Sequence, residues 1–256
     1  MNKTTPTLDR DAFAADYIRI VSSARAMEKY ATREMADRFF LLTERLLAAN
    51  AVMNLTAITD PREIILKHYF DSLRLAQHLH KVGASLADVG CGAGFPTLPL
   101  AIARPDLAVT AIDSTDKRIV FVRETAAALG LTNVTAVTAR AEDAGAGELR
   151  GTFDYVTARA VARLNMLCEF CIPLLRVGGE FLPMKGKSGA EELTEAENAI
   201  AVLRAKTVEY VEYAIRDPAF DEDRQERFIA RIRKTDETEK IYPRSFAPVS
   251  YTHLRA

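Results

Sequence analysis

The period of the apolar positions changes once along the chain, near residue 85. Before it the spacing is helical: Met35, Phe39, Leu42 and Leu46 recur at intervals of four, three and four, one face of a helix ending near Asn50. A second helix is predicted from about Arg62, after the start signal Asp60-Pro61, to about His80, with Leu66, Phe70 and Leu73 on its stripe. The link Val52-Met53-Asn54-Leu55-Thr56 lacks flexible-linker composition. From Ser85 short apolar runs alternate with helical segments. Strands are predicted at Leu86–Val89, Ala108–Ile112, Val134–Val137, Phe153–Val156 and, after a Gly178-Gly179 turn, up to Met184. Helices are expected from a glycine turn to about Ala103, from Ser114-Thr115-Asp116 to Gly130, and over Leu164–Leu175 and Glu191–Leu203. Segments around Val208–Ala214 and Arg227–Arg233 are expected to close the sheet. Alternation of this kind predicts βαβ units and a doubly wound α/β sheet covered on both faces. The expected division is a helical extension over 1–80, a sheet domain over 81–244 and a tail over 245–256.

Composition narrows this little. With 256 residues, 48% of them apolar and 27% charged, the chain is an ordinary globular sequence with room for one domain and its helices. Its 34 Lys and Arg against 35 Asp and Glu leave a formal charge of −1, so a polyanionic partner has to be met by a local patch. Apolar stretches such as Leu98–Ala103 and Ala199–Leu203 fall far short of the roughly 18 residues of a membrane helix. Met1–Arg10 is polar and has no signal core. A cytoplasmic protein without a membrane partner is expected. Cys91, Cys168 and Cys171 cannot form a disulfide framework. The pair Cys168 and Cys171 lies in an apolar helical stretch with no second pair to complete a zinc site, and reads as two buried thiols, so no metal is expected.

The strongest chemical signal is the turn Asp88-Val89-Gly90-Cys91-Gly92-Ala93-Gly94-Phe95-Pro96, between the first strand and its helix. Glycines let a backbone approach a ligand closely at the carboxyl end of a strand. A dinucleotide turn requires G-x-G-x-x-G, but Phe95 occupies the sixth position, which disfavours a nicotinamide dehydrogenase. The D-x-G-x-G-x-G pattern instead resembles motif I of class I methyltransferases, which bind S-adenosylmethionine. Asp113, ending the next strand, stands where a carboxylate accepts both hydroxyls of a ribose.

Beyond this turn, Asn54-Leu55-Thr56, His68-Tyr69-Phe70-Asp71-Ser72-Leu73, Asp88 to Leu100, Asp113-Ser114 with Lys117-Arg118, and Thr157-Ala158-Arg159-Ala160-Val161 occur in the order of the RsmG (GidB) methyltransferases, which the chain resembles from about Asn50 to Arg244. The resemblance implies a class I S-adenosylmethionine-dependent methyltransferase fold, Rossmann-like, with an N-terminal helical extension. It implies methylation of N7 of a guanine in the decoding-region loop of 16S ribosomal RNA, with S-adenosylmethionine as cofactor and a small-subunit particle as partner, by a monomer. By position, cofactor contacts fall on Asp88, Gly90, Gly92, Gly94, Phe95, Asp113, Ala141, Glu142 and Arg159, with Ala141-Glu142 in a loop framing the adenine. Thr97 departs from the family's usual glycine, and roughly 30 residues precede its usual start. The segment Pro248–Ala256 departs from the family's basic tail and resembles translated sequencing-adapter read-through.

Guanine N7 already carries an in-plane lone pair, so no acid or base is required. The chain has no N/D-P-P-Y/F turn, and Cys91 belongs to the glycine turn. His68, Arg159 and Lys185 are candidates for substrate positioning. His68, Asp71 and Ser72 share a helical face, as a packing cluster or in a direct role. RNA contacts are expected from Lys117, Arg118 and Arg123, from Lys185 and Lys187, or from Arg231, Arg233 and Lys234. The alternatives are a methyltransferase of another substrate and a non-catalytic RNA-binding assembly protein.

Overall fold

Side-chain caps start the first three helices, and the start at Asp60-Pro61 is the one the sequence predicts. In the computed structural model, which describes residues 8–219 and 224–245, the Asp9 carboxylate accepts the amides of Asp11 and Ala12 at the start of α1 (Arg10–Ser22). The Thr32 hydroxyl accepts the Met35 amide at the start of α2 (Arg33–Met53), which runs past Asn50 to a left-handed Asn54. Asp60 caps α3 (Pro61–Ile64) with Pro61 in its first turn. The helix predicted from Arg62 to His80 is not uniform. A π-helical turn, Ile65–Phe70, separates α3 from α4 (Asp71–Ala76), and regular helix ends at Ala76. The wider turn places His68 and Asp71 side by side at the sheet edge; insertions of this type concentrate at functional sites.

A seven-stranded sheet follows, in the order β3-β2-β1-β4-β5-β7-β6. Strands β1 (Ser85–Val89), β2 (Ala108–Asp113), β3 (Val134–Thr138), β4 (Phe153–Arg159) and β5 (Leu175–Lys185) are parallel. Strand β7 (Gln225–Lys234) runs antiparallel between β5 and β6 (Ala205–Ile215). Gly178-Gly179 is no turn before a strand: β5 starts at Leu175 and passes through both glycines, with a register shift opposite Phe153 and Tyr155. A Cβ on Gly179 would lie 2.9 Å from the carbonyl oxygens of Phe153 and Asp154, so only glycine allows this bulge.

Helices α5 (Thr97–Ala103) and α6 (Asp116–Ala128) follow β1 and β2. Ala141–Ala146 forms α7, where a loop was expected to carry Ala141 and Glu142. The helix expected over Leu164–Leu175 is α8 (Leu164–Cys171) and a 3-10 turn, Ile172–Leu174, because Pro173 cannot continue the α-helix. The stretch Glu191–Leu203 is two helices, α9 (Gly189–Glu195) and α10 (Glu197–Val202). Cys168 and Cys171 are fully buried in α8, and burial pushes both thiols up. The expected read-through segment Pro248–Ala256 lies outside the described residues.

Each sheet face has its own core. One joins α7, α8 and α10 to β4 and β5. The other is continuous from α1 and α2 through the π turn to α5, α6 and the sheet. An aromatic series crosses it: Tyr17 on Phe39 at 5.1 Å, Phe39 on Tyr69 at 4.6 Å, Tyr69 to Phe95 of the glycine turn at 6.0 Å. The Tyr69 hydroxyl shares a hydrogen bond of 2.7 Å with Thr43. Phe39→Ala is therefore expected to cost about 3–5 kcal/mol. Urea unfolding followed by circular dichroism should lose helix and sheet signal in one transition; two separated transitions would show that the helices do not share the sheet's core.

Candidate active site at the carboxyl edge of the sheet

Strand β1 lies between β2 and β4, where the strand order reverses and open α/β sheets leave a crevice. The glycine turn leaves β1 there. The Gly90 and Cys91 amides donate to the Ile112 carbonyl, at 2.8 and 3.1 Å, binding the turn to β2. Gly90, Gly92 and Gly94 have φ of 73°, 56° and 84°, the left-handed region that a side chain resists. A Cβ on Gly90 would also lie 2.5 Å from Val161, just beyond β4.

Two buried carboxylates brace the turn. Asp88 Oδ2 accepts the Thr97 hydroxyl at 2.6 Å and the Thr97 amide at 3.1 Å. The residue that departs from the family's glycine thus anchors the acid of the motif. Asp88 Oδ1 is buried without a hydrogen-bond partner among the described residues. Burial pushes the Asp88 carboxyl up to about 6, against the Thr97 hydrogen bonds and the charge of Arg159. Asp113 Oδ2 accepts the Gly92 amide at 3.0 Å, and Oδ1 accepts the Thr115 amide at 2.9 Å.

Above the turn lies a cleft of about 330 Å³. Of the predicted cofactor residues it brings together Gly90, Asp113, Ala141 and Glu142, and adds Arg118, Ala139, Val161 and Phe170. Asp88, Gly92, Gly94, Phe95 and Arg159 do not line it. Phe170 carries no chemical signal in a sequence; it is one apolar residue of α8, brought over by the packing of that helix.

A second cleft, of about 410 Å³, holds His68, Asp71, Arg159 and Lys185 with Ile58, Lys67, Met184 and Arg227. Left-handed Ala160, directly after β4, lines both clefts. Arg159 donates to the Lys67 carbonyl at 3.1 Å, to Asp71 Oδ2 at 3.2 Å and to His68 Nδ1 at 3.3 Å. With Nδ1 accepting from a guanidinium, the imidazole proton is on Nε2 and donates to Thr56 Oγ1, 3.1 Å away. Asn50 holds Thr56 in place through paired 2.9 Å hydrogen bonds to its backbone. His68 stacks on Phe95, ring centroids 4.3 Å apart and planes 6° from parallel. Asp71 Oδ1 accepts the Tyr213 hydroxyl of β6 at 2.9 Å, and Arg227 Nε lies 3.6 Å away. Tyr213 and Arg227 carry no site signal in the sequence; they enter because β6 and β7 fold back beside α4.

The basic candidates separate by location. Lys185 points inward, to the Ala162 carbonyl and Glu192, both at 2.7 Å. Lys187 is exposed. Arg118 approaches Asp113 at 3.5 Å, and Arg123 donates to the Ala136 carbonyl at 3.4 Å. Arg231 and Arg233 both bind Glu180, and Lys234 is buried on the Leu175 carbonyl. Because β7 is antiparallel, its last residues lie at the amino edge of the parallel strands, away from both clefts. That cluster is removed as an RNA contact to this site.

Burial, with the positive charges of Arg159 and Lys67, lowers His68 from 6.5 to about 3. As pH falls below 6.5 the unfolded chain takes up a proton that the native imidazole refuses, so stability is lost between about 6.5 and 3. Asp88 acts in the opposite sense, since its raised carboxyl favours the native state between 3.8 and about 6. The cost of His68→Phe in urea unfolding should therefore be smaller at pH 5 than at pH 7; an equal cost at both would show that His68 titrates normally.

A family model described as rRNA small subunit methyltransferase G (GidB) matches residues 35–219. The chain is 42% identical over 217 residues to the ribosomal RNA small subunit methyltransferase G of Lactobacillus helveticus, covering 83% of this chain and 88% of that protein. To the protein of that name from Lactococcus lactis subsp. lactis it is 47% identical over 211 residues, covering 81% and 85%. The crystal structure of M. jannaschii TYW2 in complex with AdoMet aligns with a TM-score of 0.50 at 17% identity, over 64% of this chain and 76% of that one, a likeness of fold. The fold is that of class I S-adenosylmethionine-dependent methyltransferases. The matched region contains the glycine turn, Asp113, the π turn and Arg159, and the chain belongs to the rRNA small subunit methyltransferase G family.

Proposed function

We propose that the protein transfers the methyl group of S-adenosylmethionine to N7 of a guanine in 16S ribosomal RNA, the guanine numbered 527 in that RNA. The observation that carries this reading is the meeting of two clefts at Ala160. One is built on braced acidic residues; the other is lined by side chains whose proton-transfer atoms are already engaged.

The first cleft fits the cofactor. The buried Asp88 carboxylate lies behind the glycine turn rather than in the cleft lining, and its partnerless oxygen suits an ammonium group at the methionine end of the cofactor. Asp113, oriented by the Gly92 and Thr115 amides, suits the ribose hydroxyls, and Ala141, Glu142 and Phe170 suit the adenine. When bound, S-adenosylmethionine supplies an electrophilic methyl group on a sulfonium.

In the second cleft the chain's own work is positioning. His68 is held neutral with both ring nitrogens engaged, so it neither gives nor takes a proton near pH 7. Arg159 is fixed by three acceptors and keeps the π turn against the end of β4. No proton leaves a guanine methylated at N7, which agrees with a cleft offering no available base. Alignment of reacting groups alone supplies roughly 7–11 kcal/mol in favourable cases. A cytoplasmic location, a small-subunit particle as partner and action as a monomer complete the proposal. Among the described residues no helix is long and apolar enough to cross a membrane.

Incubation with labelled S-adenosylmethionine and small subunits lacking the modification should place label on guanine N7 of 16S RNA. Label on protein, or on no macromolecule, would overturn the reading. Asp88→Asn should weaken S-adenosylmethionine binding at least tenfold by calorimetry, the scale of one charge-assisted hydrogen bond. It should leave the melting temperature of the ligand-free protein at pH 7 unchanged or higher, since a charged, buried Asp88 costs native stability. Unchanged affinity would remove Asp88 from the cofactor site.

A further inference from the structure

Most cations around the second cleft are spent on the protein itself. Arg159 binds Asp71, Lys185 binds Glu192 and Lys67 binds Glu63. Lys187, just past the end of β5, and Arg224, just before β7, differ: both are exposed, and among the described residues neither forms an ion pair. They line one groove of about 320 Å³ with Tyr213, Arg227 and the acids Glu212 and Glu226.

This groove continues the second cleft, because Gly186 and Arg227 line both. A track thus runs along the carboxyl edge of the sheet, from the glycine turn through Ala160 and Arg159 to Lys187 and Arg224. Its outer wall, the β6–β7 pair, is tied down twice. Tyr213 donates to Asp71. Beyond β6, buried Asp217 pairs with Arg19 of α1 and with Arg62 of α3. The wall is therefore placed before any ligand arrives, which reduces the ordering cost of binding.

We propose that this groove holds the RNA backbone flanking the target nucleotide, with Lys187 and Arg224 each contacting a phosphate. The proposal rests on the reading of the chain as an RNA methyltransferase. Glu212 and Glu226 in the same groove make the contacts two separate points at the cations rather than a continuous basic stripe. Phosphate contacts of this type add affinity without sequence information, and each steepens the salt dependence.

The test is charge reversal at Lys187→Glu and Arg224→Glu, singly and together. Lys206→Glu makes the same change at an exposed site on β6 at the opposite sheet edge. Methylation of unmodified small subunits is measured against subunit and KCl concentration. Each reversal in the groove should raise KM for the subunit about tenfold and reduce the salt slope of log kcat/KM by about one. Affinity for S-adenosylmethionine and kcat at saturation should stay at wild-type values, and Lys206→Glu should behave as wild type. Wild-type KM and salt slope in the groove variants, an equal loss in Lys206→Glu, or a loss confined to Lys117→Glu on α6 would overturn the proposal. If the wild type transfers no methyl group to RNA, the underlying reading fails instead. The groove is then judged by the salt dependence of subunit binding in the same variants.

Discussion

The site depends on one half-buried guanidinium. Arg159 ends the central strand β4 at the point where two clefts meet, and a charge there is tolerable only if its donors are satisfied. They are satisfied from the helical extension: the Lys67 carbonyl, the Asp71 carboxylate and the neutral His68 ring. The π-helical turn makes this possible by widening the helix where these groups are presented. Asp71 passes the constraint on, since its second oxygen holds Tyr213 and with it the wall formed by β6 and β7. Helical extension, central sheet and outer strands are thereby registered against one another at the edge where the two clefts meet.

A second constraint works through desolvation. Asp88 is fully buried, half satisfied by Thr97, and raised to about 6. In the ligand-free protein this carboxylate is a liability, which the ammonium group of the proposed cofactor would offset. His68 shows the complementary use of burial. Its stack on Phe95 and its two ring hydrogen bonds leave it uncharged near pH 7, so it serves as a wall between the glycine turn and the extension. Neither arrangement requires a side chain to exchange protons with a substrate, which suits transfer to an atom that already has a lone pair.

Much of this was legible in the residues. The change of apolar period near residue 85 marks the passage from helical extension to sheet, and the glycine spacing separates this turn from a dinucleotide turn. Errors arose where local signals compete with packing. Gly178-Gly179 reads as a turn but forms a bulge inside β5, because adjacent carbonyls leave room only for glycine. Ala141 and Glu142 read as a loop but begin a short helix. Lys185 reads as an RNA contact at the ligand edge but is drawn inward by Glu192, an acid of α9. Arg231, Arg233 and Lys234 read as a basic patch, yet the antiparallel direction of β7 carries them to the wrong edge.

Taken alone, the sequence determined the fold class, the family resemblance and the position of the glycine turn. These rest on local periodicity and on glycines whose spacing is itself the geometry. The tertiary structure decided which charges remain available and which residues share a cleft. A side chain's partner is set by elements distant along the chain: Asp71 meets Tyr213 across 142 positions, and Arg19 meets Asp217 across 198. Such pairings follow from strand order and direction and leave no periodic trace. The division of cations into those spent on internal carboxylates and those left facing the groove therefore appears only once the chain is folded.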